Sequence, residues 1–410
     1  MDKLKFIHTA DLHLDSPFKG LKHMPAKLFQ KVKESTFTAF TRIIELAITE
    51  KVDFVLIAGD LFDHDTRSLR SQVILREGLQ MLCNHNIQVY IIHGNHDHLS
   101  GNYAQISWPE NVHIYSKEVE MKPFQIEGRT LAHIYGFSYG QRAVTENMTT
   151  YYQMIEGAPF HIGMLHGNLK GGTDHDAYAP FTVEELLDKQ FDYWALGHIH
   201  KRQQIHENPP IIYPGNIQGR HTNEKGEKGC YVIELSKEQT LSKFIPVAEI
   251  IWDNIEISID NVETFDQLID KIQIQKNELR LNNRSVLLTL SIKGSGPLHS
   301  LLQQPNATEQ LLELINDIQE EDQKHFIWTI ACRINTSIPY DRNQLKTEPH
   351  FLGDLLRQID DNQDEVYENV LMFFYKNRNM GRHLEPFGDE EKREIFEQAE
   401  RLLLEELLKN

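Results

Sequence analysis

Cysteine is scarce in this sequence. Cys83, Cys230 and Cys332 are the three present in 410 residues, far apart and without CxxC spacing. Neither a disulfide framework nor a thiolate metal site is expected, and a reducing cytosol fits. Long apolar runs are missing too: none could span a bilayer. The first ten residues lack the apolar stretch and small-residue cleavage site of a signal peptide and read as a strand. Positive charge is also in short supply, with a formal net charge of −18. Proteins that grip nucleic acid by broad phosphate neutralisation are ordinarily basic, so a local basic groove, metal ions or a partner would have to supply that attraction. Internal repeats and low-complexity tracts are absent.

What is present is an ordinary globular balance, 40% hydrophobic and 25% charged, in a chain too long for one core. Short apolar or β-branched runs each end in a polar cluster: Lys5 to Ala10, Phe54 to Ala58, Val89 to His93, His161 to His166, Tyr193 to His198 and Tyr231 to Leu235. These read as buried strands. Helical patterns intervene, as in Thr36 to Glu50, where Phe37, Phe40, Ile43, Ile44 and Ala47 share a face, and in Leu75 to His85. The alternation predicts a layered α/β domain whose site lies beyond the strand ends.

Near Val247 to Trp252 the polar clusters stop, and the main boundary is placed there. Beyond it the pattern gives strands at Ile255 to Ile259, Val286 to Ile292 and Phe326 to Ile334, with helices at Val262 to Leu279 and Thr308 to Glu320. That order predicts a small α+β module. From Tyr340 onward the chain reads as helical pieces with 17 Asp or Glu against 10 Lys or Arg, not an obvious DNA grip. A final helix from Asp389 to Lys409 would carry an apolar face of Ile395, Phe396, Ala399, Leu402, Leu403 and Leu407, read first as an internal packing face. The expected division is 1–250, 251–338 and 339–410.

Five clusters follow one another at the predicted strand ends: Asp11 with His13, Gly59-Asp60, Gly94 to Asp97, His166-Gly167 and Gly197 to His200. A lone member of this set would be an ordinary turn or cap, but five in order are not. In extended chain, residues two apart point the same way, so Asp11 with His13, and His198 with His200, could each aim two ligands into one pocket. Glycines 59, 94 and 197 would allow sharp exits from the sheet. Carboxylate, imidazole and amide oxygen together suit Mn, Fe or Zn. Two such ions, roughly 3.5 to 4 Å apart, would activate water and hold a phosphate, with Asp60 offering one oxygen to each.

These clusters resemble the calcineurin-like metallophosphoesterases, whose signature runs DxH, GD, GNH(D/E), H, GHxH. The stretches Ile7 to Leu14, Gly59 to Asp63 and Tyr213 to Asn216 look more narrowly like the SbcD-type DNA repair exonuclease branch. The resemblance implies a layered β-sandwich flanked by helices over the first 250 residues, then an α+β cap and a helical segment for docking a partner. It implies that Asp11, His13, Asp60 and His200 hold one ion and Asp60, Asn95, His166 and His198 the other, with Mn expected ahead of Fe or Zn. His96 is then the catalytic group, with Asp97 orienting it. It further implies a cytoplasmic 3′ to 5′ exonuclease with single-strand endonuclease action, working as a homodimer with an SMC-like coiled-coil ATPase on DNA.

Two departures stand out. Position 15 is Asp where SbcD-like chains commonly have Gly, and position 63 is Asp where archaeal and eukaryotic relatives carry a second active-site histidine. His64 is the neighbour that could substitute, and Asp63, His64, Arg67 and Arg220 are the candidate substrate contacts. Lys170 to Asp176, with Asp174, His175 and Asp176, reads as a solvated loop rather than a further metal site. Two other readings stay open: a two-metal phosphodiesterase or phosphatase for nucleotides or phosphoproteins, and a non-catalytic scaffold, although scaffolds ordinarily lose ligands and none is missing here.

Overall fold

The computed structural model describes residues 2–21, 23–64, 66–171, 178–280, 283–316, 324–339, 342–347, 349–361 and 388–408. Residues 174–176 lie outside them, as does most of the expected tail before the last helix. The chain divides into two compact units: residues 1–253 with 279–288 and 318–330, and the remainder.

Twelve strands of the first unit build two six-stranded sheets. One contains β1 (Lys3–Thr9), β2 (Phe54–Ala58), β3 (Gln88–Ile92) and β4 (Val112–Ile114), with β11 (Gly229–Ser236) and β12 (Thr240–Pro246), in the order β12-β11-β1-β2-β3-β4. The other contains β5 (Glu120–Ile126), β6 (Arg129–Gly136), β7 (Phe160–His166), β8 (Tyr193–Gly197), β9 (Gln203–Glu207) and β10 (Pro210–Tyr213), in the order β5-β6-β7-β8-β10-β9. Strands β1, β2, β3 and β4 are parallel, as are β6, β7, β8 and β10, so several strand C-termini open toward one end of each sheet.

The period of two along each strand decides the layering. Phe54, Leu56 and Ala58 of β2 meet Phe160, Ile162 and Met164 of β7 and Tyr193 and Ala195 of β8 in one buried cluster between the sheets. The alternate residues Val55 and Ile57 face the opposite way, against Phe37, Phe40, Ile44, Leu75 and Leu79 of helices α1 (Ala26–Glu50) and α2 (Leu69–Asn84). On the far side of the second sheet, Trp194 and Leu196 pack with Tyr152, Phe191 and Leu186 of α3 (Val183–Leu187). The layered β-sandwich flanked by helices is therefore present. Each strand named from sequence exists, while β5 and β9 carry mostly exposed or half-buried side chains and gave no apolar run to read.

Strands β13 (Ile250–Ser258), β14 (Ser285–Ser295) and β15 (Ile327–Ser337) form a three-stranded sheet in that order. The second unit carries helices α4 (Phe265–Arg280), α5 (His299–Leu302) and α6 (Ala307–Ile315), with Leu268, Ile272, Leu311 and Ile315 buried. Lys276 is buried there too, its ammonium donating to the Ile315 carbonyl at 2.6 Å, where α6 ends. Helices α7 (Arg342–Thr347), α8 (Phe351–Asp361) and α9 (Asp389–Leu408) complete the described chain. Of the face expected on α9, Leu402 and Leu403 are exposed at 60% and 41%, whereas Leu404, outside that face, is fully buried.

Candidate metal centre

The five clusters lie at the C-terminal ends of β1, β2, β3, β7 and β8, where parallel strands of both sheets stop. Strand alternation does not aim the ligand pairs, contrary to expectation. Asp11, His13, Asp60 and His198 all lie past the regular strand residues with positive φ, at 51°, 41°, 50° and 96°. Left-handed turns rather than an extended chain direct these side chains inward, at roughly 1–2 kcal/mol each. The surrounding structure holds them there: the Asp11 amide donates to the Gly59 carbonyl (3.1 Å), the His13 amide to the Asp60 carbonyl (3.0 Å) and the Leu14 amide to the Leu61 carbonyl (3.0 Å).

Of the three glycines, only Gly59 has a positive φ (93°). Gly197 is needed for room instead, since a Cβ there would come within 1.8 Å of the Ala58 carbonyl oxygen and 2.9 Å of His166 Nδ1.

The side chains converge closely. Asp60 Oδ2 lies 3.8 Å from His13 Nε2 and 3.5 Å from His166 Nε2, while Asp60 Oδ1 accepts the His96 amide at 3.0 Å. The Asn95 amide oxygen stands 3.0 Å from His166 Nε2 and 3.2 Å from His198 Nδ1. Both Asp11 oxygens receive the His198 amide at 3.1 Å. His13 Nε2 and His200 Nε2 face each other at 3.0 Å. Two imidazole nitrogens so placed can share one proton or, both deprotonated, one cation.

Ligand atoms lie within 4.8 Å of one another in three overlapping groups: Asp11, His13 and His200; Asp11, Asp60 and His166; and His13, Asp63 and His96. His13, Asp11, Asp60 and His166 are fully or almost fully buried, and His13 Nδ1 has no hydrogen-bond partner. Buried oxygen and nitrogen donors converging in this way fit a pair of divalent ions. Burial pushes His13 well below the ordinary imidazole range and so keeps it in the neutral form that ligation needs. For Asp60 burial acts upward, but the charge of His166 and its hydrogen bond outweigh it and hold the carboxyl well below its ordinary value.

His96 is half-buried and lines a cleft of about 830 Å³. Its Nδ1 donates to the backbone carbonyl of Asp63 at 2.8 Å, which leaves Nε2 for proton exchange. Asp97 does not perform that orientation. Its carboxylate accepts from the amides of Leu61 (3.0 Å) and Gly94 (2.8 Å) and lies 2.9 Å from His93 Nδ1, so it ties the second and third site loops together. A buried carboxylate takes the nearest unsatisfied backbone donors, and those belong to the loops.

Arg67 is likewise displaced from the role expected of it. It is 5% exposed, donates to the carbonyls of Asp97 and His98, and stacks on Tyr103 at 3.5 Å, so it braces the loop from within. Arg220 is bonded to the Asp63 carboxylate, beside His13 (Asp63 Oδ1 to His13 Nδ1, 3.6 Å), and the largely exposed His64 reaches Asp63 Oδ2 at 3.3 Å.

Sequence reasoning missed Glu224. It sits in a polar, glycine-containing segment without strand or helix periodicity, yet its side chain is buried and Oε1 lies 2.6 Å from His200 Nδ1. Burial raises its carboxyl, but contact with His200 and the Arg220 amide brings the net value down to about 2.

A two-sheet sandwich with clustered carboxylate and imidazole donors at its strand ends defines a metal-dependent phosphoester hydrolase. The chain belongs to the calcineurin-like phosphoesterases: residues 4–202 match that family, described as "Calcineurin-like phosphoesterase", and residues 252–337 match "Metallophosphoesterase YhaO, middle domain". It is 41% identical over 407 residues to the "Uncharacterized metallophosphoesterase YhaO" of Bacillus subtilis (strain 168), covering 98% of each chain. More distant relatives include a "Nuclease SbcCD" component of Staphylococcus saprophyticus, at 27% identity over 67% of this chain and 76% of that one. The "DNA double-strand break repair protein Mre11" of Methanocaldococcus jannaschii is also 27% identical, over 67% and 75%. No described helix is long and apolar enough to cross a membrane.

Proposed function

We propose that this protein is a Mn-dependent DNA phosphodiesterase of end processing, acting as a 3′ to 5′ exonuclease with single-strand endonuclease activity. The observation that carries the reading is Asp60, one carboxylate within 4 Å of imidazoles from both halves of the sandwich, with the His96 amide on its other oxygen. In this reading Asp11, His13, Asp60 and His200 hold one ion and Asp60, Asn95, His166 and His198 the other. When bound, such ions supply Lewis acidity: an activated water and charge neutralisation at the phosphate.

The protein's own residues do the rest. His96, fixed by the Asp63 carbonyl, presents Nε2 to stabilise the phosphate and to protonate the leaving oxygen. Exposed cations on the cleft wall, Arg142, Lys201, Arg202 and Lys225, provide the local basic surface that the chain of net charge −18 lacks overall. The named nuclease relatives support DNA as the substrate. Residues 251–338 are assigned as a cap. The exposed Leu402 and Leu403 on α9 support assigning 339–410 to docking an SMC-like ATPase, with a homodimer of nuclease subunits in the cytoplasm.

The test is cleavage of linear duplex, hairpin and single-stranded DNA with Mn²⁺, beside His96→Ala. The wild type should cut, and His96→Ala should lose roughly 10²- to 10⁴-fold in rate while still taking up metal. Equal cutting by both proteins would refute the role of His96. Turnover of bis(p-nitrophenyl) phosphate with no DNA cleavage would replace DNA by nucleotides or phosphoproteins. Metal uptake with no turnover of any phosphoester would leave a scaffold.

A further inference from the structure

The stretch Tyr213 to Asn216 and the polar segment after it have no part in the ligand set, yet they converge on one ligand. Asn216 is fully buried, and its Nδ2 donates to Glu224 Oε2 at 2.8 Å. The Arg220 amide donates to the same oxygen at 2.7 Å. Glu224 Oε1 faces His200 Nδ1 at 2.6 Å. From the other side, Lys228 donates its ammonium to the His200 backbone carbonyl at 2.8 Å. His200 Nε2, the remaining ring nitrogen, is the atom 3.0 Å from His13 Nε2.

We propose that Glu224 is a positioning residue that fixes the proton of His200 on Nδ1 and so keeps Nε2 a bare lone pair aimed at the metal centre, an inference that rests on reading this cluster as a metal centre. Hydrogen-bond donors around the carboxylate require it. Two donors, from Asn216 and Arg220, already converge on Oε2, so Glu224 can only accept there. A carboxylate can accept on both oxygens, and the atom facing His200 is therefore an acceptor, which requires a proton on Nδ1.

A glutamine at 224 fails in either orientation. With its amide nitrogen toward Asn216 and Arg220, three donors collide. With the nitrogen toward His200, the imidazole must accept at Nδ1 and carry its proton on Nε2, where it blocks ligation. Asn216 anchors the carboxylate and Lys228 anchors the His200 backbone, so the motif at 213–216 acts as a brace behind the ligand rather than as part of the substrate surface.

The test uses the full chain and Mn²⁺ or Co²⁺ alone, read by calorimetry and by the visible spectrum of bound Co²⁺. Glu224→Gln should bind one of the two ions tenfold to a hundredfold more weakly, with the Co²⁺ spectrum altered. Glu224→Asp should recover part of the affinity. Unchanged affinity and stoichiometry for both ions in a folded Glu224→Gln protein would overturn the proposal.

Should Glu224→Gln fail to fold, ¹⁵N resonances of His200 in the wild-type protein decide the matter directly: a proton on Nδ1 upholds the assignment, and a proton on Nε2 overturns it. Wild-type protein that binds no metal would refute the metal-centre reading itself, and the same resonances would still judge Glu224.

Discussion

The first 253 residues and the chain beyond them treat backbone strain and buried charge differently. Among the described residues beyond 253, the non-glycine positions with positive φ are Asn261, Asn283 and Asn306, the residue type that tolerates this conformation best. In the first 253 they include Asp11, His13, Phe18, Asp60, Arg67 and His198. Buried charge at the centre also differs from that at Lys276. Lys276 satisfies one carbonyl at a helix end, whereas Asp11, Asp60 and the site histidines face one another. At the three asparagines beyond residue 253, local propensity and conformation agree. In the first 253 residues Phe18 and Arg67 adopt a positive φ against their preference, and there packing imposes the conformation.

Adding a methyl group should produce the largest contrast between the regions. Gly197→Ala drives a Cβ into the Ala58 carbonyl and against His166, so β2 and β8 must part. We expect a loss of about 3 kcal/mol, a fall in melting temperature of roughly 6–12 °C, and impaired metal uptake. Gly388→Ala meets its nearest group at 3.8 Å and should change neither. Equal melting temperatures for the two variants would break the comparison.

Acid should expose a second difference. His8 is fully buried between the Tyr193 hydroxyl (2.9 Å) and the Leu196 carbonyl (3.1 Å), and burial depresses its pKa to about 3, partly offset by the bond to Leu196. Its folded value lies below the unfolded value near 6.5, so between these limits the unfolded chain binds the extra proton. Stability is therefore fully present above pH 6.5 and lost as pH falls toward 3. His8→Gln should show a shallower loss of melting temperature between pH 7 and 4.5 in metal-free protein. An unchanged slope would remove His8 as a cause of acid sensitivity.

The smallest effect concerns strain away from the centre. Lys51 ends α1 in the left-handed region (φ 51°), with its amide capping Ala47 and Ile48 carbonyls. Lys51→Gly should stabilise by about 0.5–1 kcal/mol without altering turnover. Asn306→Gly, at φ 67°, should give a smaller change. The reverse ranking in denaturant melts would contradict the distinction between tolerant asparagine and strained residues.

Much of the frame is legible in the sequence because apolar runs with a period of two mark buried strands, and the five clusters end those runs. The edge strands β5 and β9 are not, since polar exposed side chains carry no periodic signal. Arg67 and Asp97 depart from the roles expected of them for one reason. A charged residue beside a motif looks catalytic in sequence, but both side chains turn to backbone groups made available by the loops. Glu224 escapes notice because a turn-rich segment gives no sign of which side chain is buried.

By itself, then, the sequence determined the donor chemistry, the order of the strand-end clusters and the layered α/β frame, because residue type and period are local properties. Tertiary structure alone decided which donors meet. Positions as far apart as 13 and 200 come within 3.0 Å because two sheets pack face to face, and left-handed turns held by bonds between the site loops aim the side chains. It also decided which ring nitrogen carries a proton, since that depends on the acceptor across the gap: the Asp63 carbonyl for His96, and Glu224 for His200.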